Sequence, residues 1–323
     1  MTTMTLLIDR RNSTLALKPN GVVEVRYAND ETHRVGLNGL RRIIVNGDVQ
    51  VSSSLLRACQ QQGVAILLTA GRGKGNAVHL FPENMRGIQL RHAQHCCYAD
   101  PIHRIEIARQ LVKAKIWQQY YWLEQHGEHA ETVRRFLESA DQAHTIESLM
   151  GVEGAAAARY FMIWGKLWPE HWQFRGRNRR PPRDPVNALI SLGYALALSR
   201  IGQMAAERGM DLGMGFLHSP FSGRPSLTLD LLEPARPWVD EWTWRLVQNN
   251  HLHPGQFSMS ASEGCRLDKE ARAIFFREWH KAEDEWLPKP ARSSLALVLN
   301  YLRRKIQVPD DVSATCQEGS FLL

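Results

Sequence analysis

The hydrophobic pattern of the chain changes its period near Pro82, and this change constrains the fold more than any other feature. Before Pro82, apolar residues form short runs separated by Gly, Asn and Pro, at 5–9, 13–19, 22–28, 41–47 and 64–69. Such punctuated runs are typical of β-strands. After Pro82, apolar residues recur every three or four positions, as in amphipathic helices. We therefore expect an α+β protein, with a small N-terminal β-rich domain followed by a larger all-helical C-terminal domain.

The same pattern sets the domain boundaries. We expect a β-rich domain at 1–84 that carries one short helix over Ser53–Gln62, and an α-helical domain at 85–307. The tail at 308–323 has low helical character, and we expect it to be flexible. Helical segments are predicted at 102–122, 133–137, 155–164, 185–206, 227–246, 268–285 and 291–306, and a small hairpin near 255–267.

A glycine-rich stretch at 70–76, AGRGKGN, looks at first like a phosphate-binding loop. The residues after it, AVHLF, are strand-like, whereas a phosphate loop opens a helix. We therefore interpret it as a hairpin turn and not as a nucleotide site.

Composition excludes several classes of protein. No run of about 18 apolar residues is present, and the N-terminus lacks the features of a signal peptide, so we expect a cytoplasmic protein with no membrane span. The five cysteines are scattered without a C-x-x-C pair, which favours reduced thiols over a zinc site. The net charge of +7 favours polyanionic partners.

Two acidic residues flank a helix-breaking proline in LTLDLLEPARP. Asp230 and Glu233 are three residues apart, so on a helix they share a face, where a nearby cation would relieve their repulsion. Pro234 removes a backbone N–H and predicts a kink or a new helix start. The alternative is a solvated acidic face, although the surrounding leucines leave little room for one.

Two further residues are candidates for the same chemistry. His218 follows the apolar run GMGFL and precedes a turn rich in Pro and Gly, where it is either a ligand or a hydrogen-bonded structural residue. Glu153 is followed by Gly154 and four alanines in an otherwise apolar helix. Because alanines allow close helix packing, an ionised Glu153 needs a partner. The alternative is an acid that stabilises the first turn of its helix.

A basic segment lies between these candidates. Residues 166–183 contain six Lys or Arg and one Glu, a local balance of +5 out of the chain's +7. The aromatic residues Trp168, Trp172 and Phe174 are interleaved with the charges. Arginines and aromatics in an irregular loop suit phosphate contacts and base stacking, whereas a solvated loop is the alternative.

Four motifs in order resemble one family. They are EGAAAARYF from Glu153, RGRNRRPPRDPVNALIS at 175–191, GFLH at 215–218 and SLTLDLLEPARP at 226–237. Together they resemble the integrase subunit of CRISPR spacer acquisition, the CRISPR-associated protein "one" family. The motifs span about 149–237, and the β-rich front and helical rear are similar to the two-domain plan of that family.

The resemblance implies a set of site residues. Glu153, His218 and Glu233 would be the metal ligands for Mg²⁺ or Mn²⁺, and Asp230 would support them as the fourth catalytic residue. A histidine with carboxylates is a ligand set that suits these ions. Candidates for contacts to DNA phosphates are Arg175, Arg177, Arg179, Arg180, Arg183 and Arg224.

The resemblance also implies a function and partners. The protein would insert short foreign DNA fragments into a CRISPR array, by attack of a DNA 3′-hydroxyl on a phosphodiester, or cut DNA with water as the nucleophile. Its partners would be double-stranded DNA (spacer precursor and CRISPR repeat), a second copy that pairs largely through the β domains, and the CRISPR-associated protein "two", which bridges two dimers. Two alternatives stay open: a DNA-binding protein without catalytic activity, and a metal-dependent phosphoesterase that acts on small substrates.

Overall fold

The computed structural model describes residues 4–69, 77–80, 87–178, 181–260 and 264–306. The chain divides into two compact units. The first comprises Met1–Met85 and Gly202–Arg208, and the second comprises Arg86–Ile201 and Gly209–Leu323. The division into domains at 1–84 and 85–307 stays a prediction, and the expected tail at 308–323 and the glycine-rich turn at 70–76 lie outside the described residues.

In the described part of Met1–Met85, the first unit has two four-stranded sheets and a helix. Its strands are β1 (Met4–Ile8), β2 (Ser13–Lys18), β3 (Val22–Arg26), β4 (Thr32–Gly36), β5 (Leu40–Val45), β6 (Val49–Val51), β7 (Ala65–Leu68) and β8 (Val78–Leu80). One sheet has the order β1-β5-β7-β8, in which β8 alone is antiparallel to its neighbour. The other has the order β4-β3-β2-β6, a meander to which β6 adds a parallel strand.

The helix α1 (Ser53–Gln62) of this unit begins and ends where its sequence predicts. The Ser52 hydroxyl accepts a hydrogen bond from the Leu55 N–H at the start of the helix. Gly63, with a φ of 74°, ends it in the left-handed conformation that glycine adopts easily. Leu55 then packs in the core formed by both sheets, together with apolar side chains such as Ile8 and Val23.

Where the structure describes the second unit, its regular elements are helices and one pair of short antiparallel strands. Its helices are α2 (Ile88–Ala99), α3 (Pro101–Gln125), α4 (Glu131–Arg134), α5 (Phe136–Gln142), α6 (Ile146–Trp164), α7 (Pro185–Ala206, whose last turn belongs to the first unit), α8 (Ser226–Leu232), α9 (Arg236–Gln248), α10 (Lys269–Glu285) and α11 (Pro288–Ile306). The hairpin pairs β9 (Phe257–Ser260) with β10 (Gly264–Leu267), as predicted. The expected fold class, a strand-rich N-terminal part followed by a mostly helical one, is confirmed.

The kink predicted at Pro234 is present. Helix α8 ends at Leu232, the residues Glu233–Ala235 form a single 3₁₀ turn, and α9 starts at Arg236. The break separates the two acids of the LTLDLLEPARP motif, so that Asp230 and Glu233 contact different partners.

Helix α7 is long and apolar enough to cross a bilayer by composition alone. However, 72% of its most apolar window is buried inside the protein, as expected for the core helix of a folded domain.

Candidate functional site

The central feature of the second unit is a lysine between two glutamates. The Lys115 Nζ donates a hydrogen bond to Glu233 Oε2 at 2.6 Å and another to Glu153 Oε1. The side chains of Lys115 and Glu233 are only 4% and 5% exposed, and that of Glu153 is 20% exposed. The predicted partner of Glu153 is therefore Lys115, and two of the three predicted metal ligands converge on one cation.

Each glutamate is held by a separate element. Glu153 lies two turns into α6, whose first turn is fixed by Thr145, the side chain of which accepts a hydrogen bond from the Ser148 N–H. Glu233 opens the 3₁₀ turn before Pro234, and Arg236 donates to its Oε1 at 3.0 Å. Burial raises the pKa of the Glu233 carboxyl, but the charges of Arg236 and Lys115 outweigh burial and lower it below its usual value. Glu233 is therefore an anion in the folded protein.

Asp230 organises the loop that carries His218. Its Oδ2 accepts hydrogen bonds from the backbone N–H groups of Phe216 and Leu217, at 2.5 and 3.0 Å. Its Oδ1 accepts from the His218 N–H at 2.9 Å and pairs with the His218 Nδ1 at 2.7 Å. Asp230 is fully buried, so these contacts replace the water that an exposed carboxylate would bind.

The hydrogen bond to Asp230 fixes which nitrogen of the His218 ring carries the proton. Since a carboxylate only accepts hydrogen bonds, Nδ1 carries the proton, and in the neutral ring Nε2 keeps its lone pair. Burial lowers the pKa of His218, but the hydrogen bond and charge of Asp230 outweigh burial and raise it. A histidine oriented in this way by a carboxylate is the arrangement that metal-binding proteins use.

His218 contacts Asp230, and Glu233 contacts Lys115 and Arg236. Within the described ranges, no three His, Cys, Asp or Glu side chains stand close enough together to hold a metal ion. The ammonium of Lys115 takes the position between the two carboxylates instead. The assignment of Glu153, His218 and Glu233 as ligands therefore stays a prediction.

A groove of about 670 Å³ connects the site to part of the basic segment. Its lining includes Glu153, the small residues Gly154 and Ala157, and the cations Lys166 and Arg175. The groove therefore extends from Glu153, a predicted metal ligand, to the positively charged Lys166 and Arg175.

The predicted DNA-binding arginines differ in their surroundings. Arg175 and Arg183 are exposed. Arg177 is half-buried and donates to Asn187 Oδ1 at 2.8 Å, and Arg224 is half-buried with hydrogen bonds to Ser219 and Ser226. Arg179 and Arg180 lie outside the described residues. The structure therefore leaves Arg175 and Arg183 most accessible among the four that it describes.

The two tryptophans of the basic segment are buried, so their rings are not accessible for the base stacking that was one interpretation of this segment. Trp168 and Trp172 are 6% and 2% exposed. Trp168 packs against the rings of Trp164 and Phe174, with centroids 5.0 and 6.3 Å apart. Burial of these large apolar rings stabilises the fold more than their exposure beside arginines would, so the rings form a core.

Two site residues were absent from the sequence predictions. In the sequence, Arg236 resembles any other basic residue, and Lys115 resembles an ordinary lysine of an amphipathic helix. A signal for Lys115 exists, since it lies on the α3 stripe that buries Leu111 four residues before it and Trp122 seven residues after it. A lysine on a buried stripe is unusual unless it is paired.

Comparison with known proteins gives the family. The sequence profile of CRISPR associated protein Cas1 matches residues 6–281. The chain belongs to the Cas1 family. This membership confirms the resemblance seen in the four motifs.

Individual relatives agree with this membership. The chain is similar to the CRISPR-associated endonuclease Cas1 3 of Thermus thermophilus, with 35% identity over 257 residues, which cover 79% of this chain and 76% of that protein. Among solved structures, a Cas1 protein from Thermotoga maritima has a TM-score of 0.84 at 23% identity and covers 93% of this chain and 97% of its own. A casposase bound to integration product has a TM-score of 0.82 at 19% identity, with coverages of 94% and 92%. These two structures share the fold.

Proposed function

We propose that this Cas1-family protein is a metal-dependent DNA integrase and endonuclease, which joins short DNA fragments to a CRISPR array. The observation that carries the proposal is the convergence of Glu153 and Glu233, from separate elements, on a single cation. The orientation of His218 by the Asp230 carboxylate supports it. Family membership and the fold shared with a casposase bound to integration product support the same reaction.

In chemical type, these donors suit Mg²⁺ or Mn²⁺. Glu153 and Glu233 offer carboxylate oxygens that already share one cation, and His218 Nε2 offers a lone pair. When bound, such an ion supplies positive charge for the phosphate that is transferred. Asp230 fixes the imidazole, and Arg236 keeps Glu233 ionised and oriented.

The reaction needs no nucleophile from the protein. In joining, the 3′-hydroxyl oxygen of one strand forms the new bond to phosphorus, and the phosphorus–oxygen bond to the leaving strand breaks. The proton of the attacking hydroxyl leaves to solvent, and the departing oxygen takes up a proton. In cleavage, water replaces the 3′-hydroxyl.

The same proposal includes the DNA interface and the partners. Exposed Arg175 and Arg183 would contact DNA phosphates, and the groove beside Glu153 would guide a strand to the site. The protein would act in the cytoplasm on double-stranded DNA, as a homodimer paired through the β-rich unit. The CRISPR-associated protein "two" would bridge two such dimers.

The test is a joining assay. Purified protein and its partner are incubated with short duplexes and a repeat-bearing plasmid, with Mg²⁺, with Mn²⁺, or with a chelator. We expect joined product only when a metal ion is present. DNA binding without cleavage or joining would instead show a non-catalytic DNA-binding protein. Hydrolysis of small phosphate esters without salt-sensitive DNA binding would show a phosphoesterase.

A further inference from the structure

We propose that Lys115 is an internal counter-ion which the divalent metal ion displaces, and that the released ammonium then pairs with a DNA phosphate. Lys115 is thereby a positioning residue that couples metal binding to DNA binding. The inference rests on the metal site of the proposed function and assigns a role to a residue outside the predicted ligand set.

The positive and negative side chains that meet at this site balance each other in charge. In the structure, Glu153 and Glu233 are matched by Lys115 and Arg236, two negative charges by two positive ones. A divalent ion added to this group would leave it with two uncompensated positive charges. Because Lys115 and Glu233 are almost fully buried, such an excess is poorly screened by water.

The position of the Lys115 ammonium also supports its displacement by a metal ion. The Lys115 Nζ contacts an oxygen of each glutamate, so it takes up the space in which both carboxylates could face one ion. The ammonium and a metal ion therefore compete for the same oxygens. Arg236 does not compete in this way. Of the two glutamates it hydrogen-bonds to Glu233, through Oε1, whereas Lys115 uses Oε2 of the same side chain.

Once displaced, the Lys115 ammonium needs a new anionic partner. A buried ammonium that has lost its carboxylates is costly unless it finds another anion. The substrate of the proposed reaction brings phosphates to this site, and Lys115 remains tethered beside them on α3. DNA should therefore favour the displaced state, and DNA and metal should each raise the affinity for the other.

Isothermal titration calorimetry of the full chain with Mn²⁺ tests whether Lys115 competes with the metal ion. Lys115→Met removes the charge and keeps an apolar stem. We expect it to bind Mn²⁺ about tenfold more tightly than wild type when no DNA is present. The matched control is Lys113→Met on the same helix, since Lys113 is 38% exposed and pairs with Asp141. The control should bind Mn²⁺ like wild type.

DNA addition tests the coupling. A short duplex should tighten Mn²⁺ binding to wild type several-fold and leave the affinity of Lys115→Met nearly unchanged. Equal or weaker Mn²⁺ binding by Lys115→Met, or an equal DNA effect in both proteins, would overturn the inference. If Lys115→Met does not fold, as judged by its thermal unfolding curve, Lys115→Gln gives the same comparison with a polar side chain.

Glu153→Gln in the same titration separates this inference from the proposed function. If Glu153→Gln binds Mn²⁺ as wild type does, the metal site lies elsewhere and both proposals fail. If it loses Mn²⁺ binding while Lys115→Met gains nothing, only the role of Lys115 fails. If neither wild type nor Lys115→Met binds Mn²⁺, both are contradicted.

Discussion

At the scale of single residues, Asp230 shows how one carboxylate can shape a loop. It accepts hydrogen bonds from three consecutive backbone N–H groups and from the His218 ring. In Asp230→Asn, the amide nitrogen cannot accept, so at least one buried donor loses its partner. We expect the free energy of unfolding to fall by about 2–3 kcal/mol, measured by urea denaturation.

The control for this change is Asp141→Asn. Asp141 is 54% exposed and pairs with Lys113 at the surface. Its loss should change the free energy of unfolding by less than about 1 kcal/mol. Equal effects of the two changes would mean that Asp230 does not organise the loop.

Asp240 provides a prediction about pH. Burial raises its pKa from 3.8 to about 6, against the lowering effect of the hydrogen bond from the Tyr194 hydroxyl at 2.5 Å. The folded protein thus holds this proton more tightly than the unfolded chain does. The resulting stability is present below about pH 4 and is lost as pH rises through about 6. Asp240→Asn removes this dependence.

The measurement compares urea denaturation of wild type and Asp240→Asn at about pH 4.5 and about pH 7.5. Wild type should lose stability relative to the variant as the pH rises. A difference that stays constant, or that changes in the opposite direction, would contradict the raised pKa.

Some residues of the candidate site can be predicted from the sequence and others cannot, for physical reasons. Glu153, His218 and Glu233 stand out because each is polar among apolar or small neighbours. Lys115 and Arg236 do not, since a cation on a helix is usually solvated. The partner of Arg236 is Glu233, three residues before it, whereas the partners of Lys115 are revealed only by the packing of α3 against α6 and the 3₁₀ turn. The position of Lys115 on the buried stripe of α3 indicates that it is paired, but the local pattern does not identify Glu153 and Glu233, which lie 38 and 118 positions away.

At the scale of elements, the structure confirms the predicted helices where the hydrophobic period is strong. Helices α1 and α7 have the predicted bounds, and Pro234 breaks the helix as expected. Helix α2 was missed because its buried face includes the polar Gln94, which obscures the apolar period. Strand β4 is not predicted because its side chains are mostly exposed, and β6 is not predicted because it has only three residues. Strand β8 lies within AVHLF, which the sequence predicts to be strand-like.

The loop before His218 depends on one glycine. A Cβ at Gly215 would lie 2.7 Å from the His218 carbonyl oxygen and 2.7 Å from the Ser226 carbonyl carbon, both backbone atoms. Gly215→Ala must therefore shift the loop. We expect it to lower the free energy of unfolding by about 2 kcal/mol or more and to reduce DNA joining, because His218 moves.

Gly151→Ala is the matched control for this element. Gly151 is exposed within α6, and a Cβ there meets nothing within 4 Å. Since alanine favours a helix over glycine, this change should stabilise the protein by about 0.5–1 kcal/mol. Thermal unfolding of both variants measures the contrast, and a stable Gly215→Ala protein would refute the close approach.

At the scale of the whole molecule, the net charge of +7 predicts electrostatic attraction to DNA. The observed affinity for duplex DNA should fall steeply with salt. Arg175→Ala should weaken binding of all sequences alike and lower the slope of log K against log salt by about 1, because one phosphate contact is lost. Fluorescence anisotropy at several salt concentrations measures the slope.

The control is Arg277→Ala on α10, an exposed arginine that pairs with Glu278 and is not among the residues lining the groove. Its slope should equal that of wild type. An unchanged slope for Arg175→Ala would remove this arginine from the DNA interface.

The central claim is that one site, formed by Glu153, His218 and Glu233, carries the DNA chemistry. The most direct measurement is the rate of DNA joining with Mg²⁺ for Glu153→Gln, His218→Ala and Glu233→Gln, beside the control Glu278→Gln on α10. Each site variant should remain folded and lose at least about a hundredfold in rate, and the control should join DNA like wild type. A folded site variant that joins DNA at the wild-type rate would contradict the claim.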